Sequence, residues 1–238
     1  MICGCPVFDY EHIDGFDVTG HDDTRMTLLC PEHHREKTAG RLPISLVERW
    51  NGNPFNVGAQ FSKGHPLYYE PNSGIVLKLG NLHFEPKPGF SHLVGIAAFG
   101  DFALGVGVTD TGHPVIDIDI RDQKDRPLFI VKSGELRVAP VNWDVDFVGT
   151  KLVLRSAPGQ KVLDIALEAT DGAVSVKAAD FHLHGVHMTV GTKTKTGGFE
   201  LPEMDGFWAQ LTMRGLGIAI GDVAPPGYWF HLPIPRPS

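Results

Sequence analysis

Excess basic charge, long apolar runs and any cysteine beyond residue 30 are all missing from this chain of 238 residues. Each absence excludes something. With 21 Lys and Arg against 28 Asp and Glu, the formal net charge is −7. No overall field therefore draws the chain to a polyanion, and phosphate binding has to come from a local site or a bound cation. The first fifty residues do not reverse this, because Arg25, Arg35, Lys37, Arg41 and Arg49 stand against nine acidic side chains. The longest apolar stretch, LVGIAAFG from Leu93, is too short to cross a bilayer. No basic segment followed by a long apolar core opens the sequence, so the expectation is a cytoplasmic protein without a membrane partner. Hydrophobic residues at 42% and charged residues at 21% argue against a disordered or fibrous class and leave enough material for a core.

What cysteine there is lies together. Cys3, Cys5 and Cys30 make an odd count, which speaks against a disulfide framework and for a thiol or metal role. The chain changes rhythm soon after them. Residues 1–50 are Cys/His-rich, the Gly/Asn/Pro-bearing stretch 51–65 reads as a linker, 66–225 as a β-rich domain and 226–238 as a Pro-rich tail extended along the surface. In the first part VFDYEHI reads as extended, with Val7, Tyr10 and Ile13 available to pack. PEHHREKTAG reads as a helix ended by Gly40, and ISLVERW as one or two more turns stopped by Asn51 and Gly52. In the second part, segments such as PVIDIDIRD, WDVDFVGTKLVLRS and VLDIALEATDGAVSVKA place apolar residues at every second position, the pattern of strands with one buried face. Turns are predicted at Val148–Lys151 and Thr170–Gly172. The expected architecture is an antiparallel sheet doubled over as a sandwich or barrel, with a β-solenoid as the alternative.

Zinc takes four soft or borderline ligands, commonly a pair from a knuckle and a pair at the start of a helix. Cys3 and Cys5 can form the first pair, Cys30 and His33 the second. CGC is tighter than the usual two-residue gap, whereas CPEH fits. Adjacent helical residues diverge by about 100°, so His33 and His34 cannot readily hold one ion together, and the doublet can serve two sites. The bland alternative is two histidines on a solvated helix. Glu11 and His12 lie on the strand upstream and face opposite sides of it. A carboxylate with a cation, beside a neutral imidazole that takes a proton from water, suffices for phosphodiester hydrolysis.

Other groups carry weaker signals. His182, His184 and His187 in FHLHGVHM can bind a transition metal, though no thiol or acidic residue adjoins them, and the bland reading prevails. Lys193 and Lys195 read as a soluble basic turn. GVGVTDTG lacks the helix and lysine of a phosphate loop. Asp117, Asp119 and Asp122 read as solvated on an outer sheet face, with calcium at the turn as an alternative.

In order and spacing, CGCPVFDYEHIDGF followed by HDDTRMTLLCPEHHREKTAGRLP resembles the HNH motif of the His-Me finger endonucleases, over roughly residues 3 to 42. The resemblance implies a zinc-stabilised ββα module of the treble-clef kind in a bacterial protein. It implies His12 as general base, Glu11 and His34 as ligands of a catalytic magnesium or manganese ion, and Cys3, Cys30 and His33 as structural zinc ligands, with DNA as a candidate substrate. Three positions differ from the pattern. The further cysteine expected three positions before Cys3 has no counterpart, leaving Cys5 as the candidate substitute. Arg25 stands where an asparagine would orient the base, with Asp22 or Asp23 as possible replacements. Glu11 stands for the commoner Asp or His. WDVDFVGTKLVLRS more faintly resembles the β-rich region behind such motifs. Two readings follow: a metal-dependent nuclease whose β-rich domain recognises or assembles, or a non-catalytic zinc protein whose β-rich domain binds a protein partner or drives homo-oligomerisation.

Overall fold

The extended run ahead of Gly15 pairs with the run ahead of Cys30. Strand β1 (Asp9–His12) lies antiparallel to β2 (Met26–Leu29), with Asp9 opposite Leu29 and His12 opposite Met26. In this computed structural model the described residues are 2–67, 75–85, 93–109, 114–140, 144–168, 172–202, 206–208, 212–214, 217–222 and 230–235. Between the two strands come a single helical turn, α1 (Phe16–Thr19), and a 3₁₀ turn over Asp23–Arg25. Asp22 caps the latter, its Oδ1 accepting from the Thr24 backbone N–H at 3.0 Å and hydroxyl at 2.6 Å. Helix α2 (Pro31–Thr38) begins with proline at its first position, where the missing N–H costs nothing. It stops before Gly40, whose φ is +71°. Helix α3 (Ile44–Gly52) runs through Asn51 and Gly52, the residues expected to end it, and closes at Asn53.

Contacts divide the chain into Met1–His65 with Arg137–Pro140, and Pro66–Leu136 with Val141–Ser238. In the first unit, Ile13, Leu29, Leu42 and Val47 are buried, with Ile2, Leu46 and Trp50 packed against them. Tyr10, expected to pack, is 59% exposed. Its neighbours in sequence, Asp9 and Glu11, point to α2, and alternation along β1 turns Tyr10 the other way. Residues 137–140 belong to this unit, where Val138 N–H donates to Ser62 Oγ at 3.0 Å and Ser62 N–H to Val138 O at 2.8 Å.

The second unit is a large mixed sheet. Antiparallel neighbours follow one another from Val94–Ala98 through Asp101–Val108, Pro114–Arg121 and Pro127–Lys132. A second run goes from Asp144–Val148 through Lys151–Ala157, Gln160–Glu168 and Ala173–Leu183 to Val186–Gly191. The turn predicted at Val148–Lys151 is present, with those two residues paired. In the next hairpin Glu168 pairs with Ala173, while Thr170 and Asp171 lie outside the described residues.

The expected antiparallel pairing is incomplete. Val76–Leu79 runs parallel to Ala173–Leu183, Leu82–Glu85 to Thr212–Arg214, and Val94–Ala98 to Gly217–Gly221. Nor does every strand keep a solvated face, because Val94–Ala98 and Gly217–Gly221 are buried throughout. Strands covered on both sides lose the apolar/polar alternation that marks a half-exposed sheet. Part of the tail is also a strand: Phe230–Pro233 pairs in parallel with Gly217–Gly221. Among the described residues the α-helices all precede Asn53, and no helix is long and apolar enough to cross a membrane.

Candidate metal centre

Cys30 is the N-cap of α2, so its sulfur stands beside the first free N–H groups of the helix, and His33 follows one turn later on the same side. The Sγ of Cys30 and Nδ1 of His33 are 3.0 Å apart. Cys3 comes from the N-terminal knuckle, and the ligand atoms of Cys3, Cys30 and His33 all lie within 4.8 Å of one another. Two thiolates at about 2.3 Å from a tetrahedral zinc stand roughly 3.8 Å apart, a spacing that falls within this span, while Cys30 and His33 would open slightly from their 3.0 Å contact to share the ion. The donor set also suits it: two soft sulfurs and a borderline nitrogen, one sulfur buried. This group can hold a metal ion such as zinc.

The thiols carry the cost of their position. Burial pushes the Cys30 thiol up, the His33 backbone N–H draws it down, and the Cys3 thiol beside it pushes it up again, leaving it raised. Cys5 is raised too, chiefly by burial, with the Val7 backbone opposing and Cys30 adding to it. Cys5 therefore feels Cys30 while its sulfur stays outside the group of three. A bound cation would take the place of these protons and offset the cost that burial puts on the thiolates.

The histidine doublet diverges. His33 faces Cys30 and meets Trp50 edge-on at 6.4 Å, whereas His34 turns to β1. There its Nε2 is 2.9 Å from Glu11 Oε2 and its Nδ1 is 3.0 Å from Asp9 Oδ2. The Lys37 ammonium holds the other Glu11 oxygen and donates to the His12 carbonyl at 2.8 Å. Glu11 and His34 are thus brought together, and His12 is not brought to them through its ring. Its imidazole packs against Phe16 and His21, with ring centroids 5.4 Å away in both cases. Its Nε2 is buried with no hydrogen-bond partner among the described residues.

Arg25 does not reach His12. It forks onto Asp14 with two contacts of 2.6 Å and onto Glu48 at 2.7 Å, and these acids hold its guanidinium protonated well above the ordinary range. Asp22, a suggested replacement for the orienting asparagine, is spent on Thr24. Sequence reasoning missed Asp9, Lys37 and His21. The first two had a signal: Asp9 is two residues before Glu11 on a strand, and Lys37 three after His34 on a helix. Nothing local marks His21.

In the β-rich unit the acids expected on a solvated face are engaged. Asp117 is buried, accepting from Lys132 Nζ and the Ser133 N–H at 2.7 Å each. Asp119 takes the Arg121 fork, and Asp122 accepts from the Lys124 and Arg126 backbone at 2.9 Å. His182 and His187 face each other across their strands with rings stacked at 4.5 Å and 6°. Nitrogen lone pairs lie in the ring planes, so stacked rings point theirs side by side rather than at one ion. His184 sits at the turn on Asp101 and Asp125. Comparison with protein-family models, with curated proteins and with solved structures finds no match to this chain.

Proposed function

We propose that the N-terminal unit is an HNH-like, zinc-stabilised ββα module that hydrolyses phosphodiester bonds, with DNA as substrate class. The β-rich unit, read as a sheet doubled into a sandwich or barrel, serves recognition or assembly. One observation carries the reading: adjacent residues of one short helix serve two groups, His33 with the sulfurs and His34 with Glu11. That is the economy a scaffold ion and a working ion need if rigid elements are to fix both. Cys3, Cys30 and His33 hold the zinc, and Cys5, whose sulfur lies outside that group, is the thiol that would have to turn in to supply the fourth ligand. Glu11 Oε2 and His34 Nε2 hold the working cation, magnesium or manganese. Bound there, a divalent ion supplies charge neutralisation to the phosphate oxygens and the leaving group. His12 is the base of this reading, taking the proton of the attacking water at Nε2 once its ring turns out from Phe16 and His21.

Arg25 favours a second reading. A residue locked to Asp14 and Glu48 cannot orient the base, and a module without that function is a zinc knuckle whose attached β-rich unit binds a protein or a second copy. Elemental analysis and cleavage assays separate the two. On the first reading the purified protein carries one zinc per chain and nicks single- or double-stranded DNA with magnesium or manganese, and His12→Ala loses roughly a hundredfold or more of the rate. Full zinc content with no cleavage under any cation would leave the second reading.

A further inference from the structure

Strand β1 offers Asp9 and Glu11 from one face, and α2 offers His34 and Lys37 three residues apart from the face that meets it. The four side chains interlock in the order Asp9, His34, Glu11, Lys37. We infer that Asp9 and Lys37 are positioning residues for a divalent cation held by His34 and Glu11, Asp9 selecting the ligating nitrogen and Lys37 the ligating oxygen. The inference rests on the proposed reading of Glu11 and His34 as the ligand pair.

An imidazole binds an ion through one nitrogen, and the partner of the other nitrogen decides which. Here Nδ1 is 3.0 Å from Asp9 Oδ2, so a proton on Nδ1 donates to that carboxylate and Nε2 keeps its lone pair. Nε2 faces Glu11 Oε2 at 2.9 Å. Two ligands at about 2.1 Å from an octahedral ion, at right angles, stand roughly 3.0 Å apart. The pair is therefore spaced as two neighbouring ligands of one octahedral ion are.

Glu11 could still turn and offer both oxygens. The Lys37 ammonium prevents it by holding Oε1, and the same ammonium grips the carbonyl of His12. One half-buried cation thus ties the carboxylate ligand to the backbone of the residue read as base. Its side chain is 10% exposed and that of Glu11 15%, against 51% for Asp9. Lys37 is screened least from its partner and should matter more. The sign of its effect is decisive: an ammonium that merely occupied the cation's place would, on removal, tighten metal binding, whereas a positioning ammonium weakens it.

The test is Mn²⁺ binding by electron paramagnetic resonance on the full chain, with zinc content and circular dichroism as fold controls. Asp9→Asn should weaken Mn²⁺ binding about tenfold and Lys37→Gln up to about a hundredfold, the range of outer-shell losses at metal sites. Lys37→Arg should fall between Lys37→Gln and the wild type. Nitrogen NMR of the magnesium-loaded protein should find the His34 proton on Nδ1 in the wild type and spread over both nitrogens in Asp9→Asn, a change that a purely structural role would not produce. Should Lys37→Gln lose zinc or helical signal, the exposed Asp9→Asn decides alone. Wild-type affinity in Asp9→Asn with an unchanged His34 tautomer, or tighter Mn²⁺ binding in folded Lys37→Gln, overturns the inference while leaving Glu11 and His34 as ligands. A wild-type protein that takes up zinc but no Mn²⁺ overturns the ligand reading and the inference together.

Discussion

Gly4 separates Cys3 from Cys5 with a φ of +75°, and a Cβ there would lie inside the edge of the Phe55 ring. Its carbonyl accepts from the Lys63 N–H at 2.8 Å, and the Lys63 ammonium lies 5.4 Å from the same ring's centroid. The tight knuckle is therefore a backbone solution that glycine alone permits, because a side chain in the left-handed region is strained even before it meets Phe55. Gly4→Ala is expected to cost roughly 1–3 kcal/mol and to weaken zinc binding with it, since Cys3 would lose its direction. Urea unfolding, together with a competition titration against a chromophoric chelator, measures both. The sequence showed that CGC is tighter than the usual knuckle but not what shapes it, because Phe55 lies fifty residues further on.

At the scale of elements, α2 has no buried residue. A helix without an apolar stripe is held by its polar side chains or by ions, and here by His33 at the sulfurs, His34 and Lys37 at β1, and Arg41 on Glu36. Its limits were legible from Pro31 and Gly40, which are local chemistry; its docking partners were not, because they come from β1. Strand Gln160–Glu168 shows the opposite case. Alternation identified it as a strand but predicted one wet face, whereas Val162 to Leu167 are all buried. Asp164 is thereby enclosed. Burial pushes its carboxyl up, but the Lys161 ammonium at 2.8 Å and Lys151 at 3.6 Å prevail and hold it below the usual carboxylate range. A depressed native pKa stabilises above the unfolded value of about 3.9 and is lost as pH falls through the native one. Asp164→Asn should therefore cost about 1 kcal/mol at pH 7, discounted for the exposed lysines. The gap to wild type should close as urea melts are taken from pH 5 down to pH 2.

For the whole molecule, the limits of reading are set by sequence distance. Antiparallel neighbours joined by short turns declare themselves, as Val148 and Lys151 do. The parallel pairing of Val76–Leu79 with Ala173–Leu183 links segments with no local sign of each other, as does that of Val94–Ala98 with Gly217–Gly221. In the latter pair Gly217 has a φ of +103° and faces Gly95 so closely that a Cβ would strike the Gly95 carbonyl.

The two units also differ in what stabilises them. The β-rich unit holds most of the buried hydrophobics, while the N-terminal unit buries a cluster of four, Ile13, Leu29, Leu42 and Val47. A core in a unit of that size rarely supplies more than about 3–5 kcal/mol, whereas a structural zinc can contribute about 10 kcal/mol or more. Chelation should therefore act on one unit only. With EDTA or phenanthroline in excess, the helical dichroism near 222 nm, which α2 and α3 supply, should collapse and trypsin should cut within residues 1–65. The sheet signal should persist to the same melting temperature as before. Adding zinc back should restore the helices and the protection, and a helical signal indifferent to chelation would show that the four apolar residues suffice without the Cys3, Cys30 and His33 group.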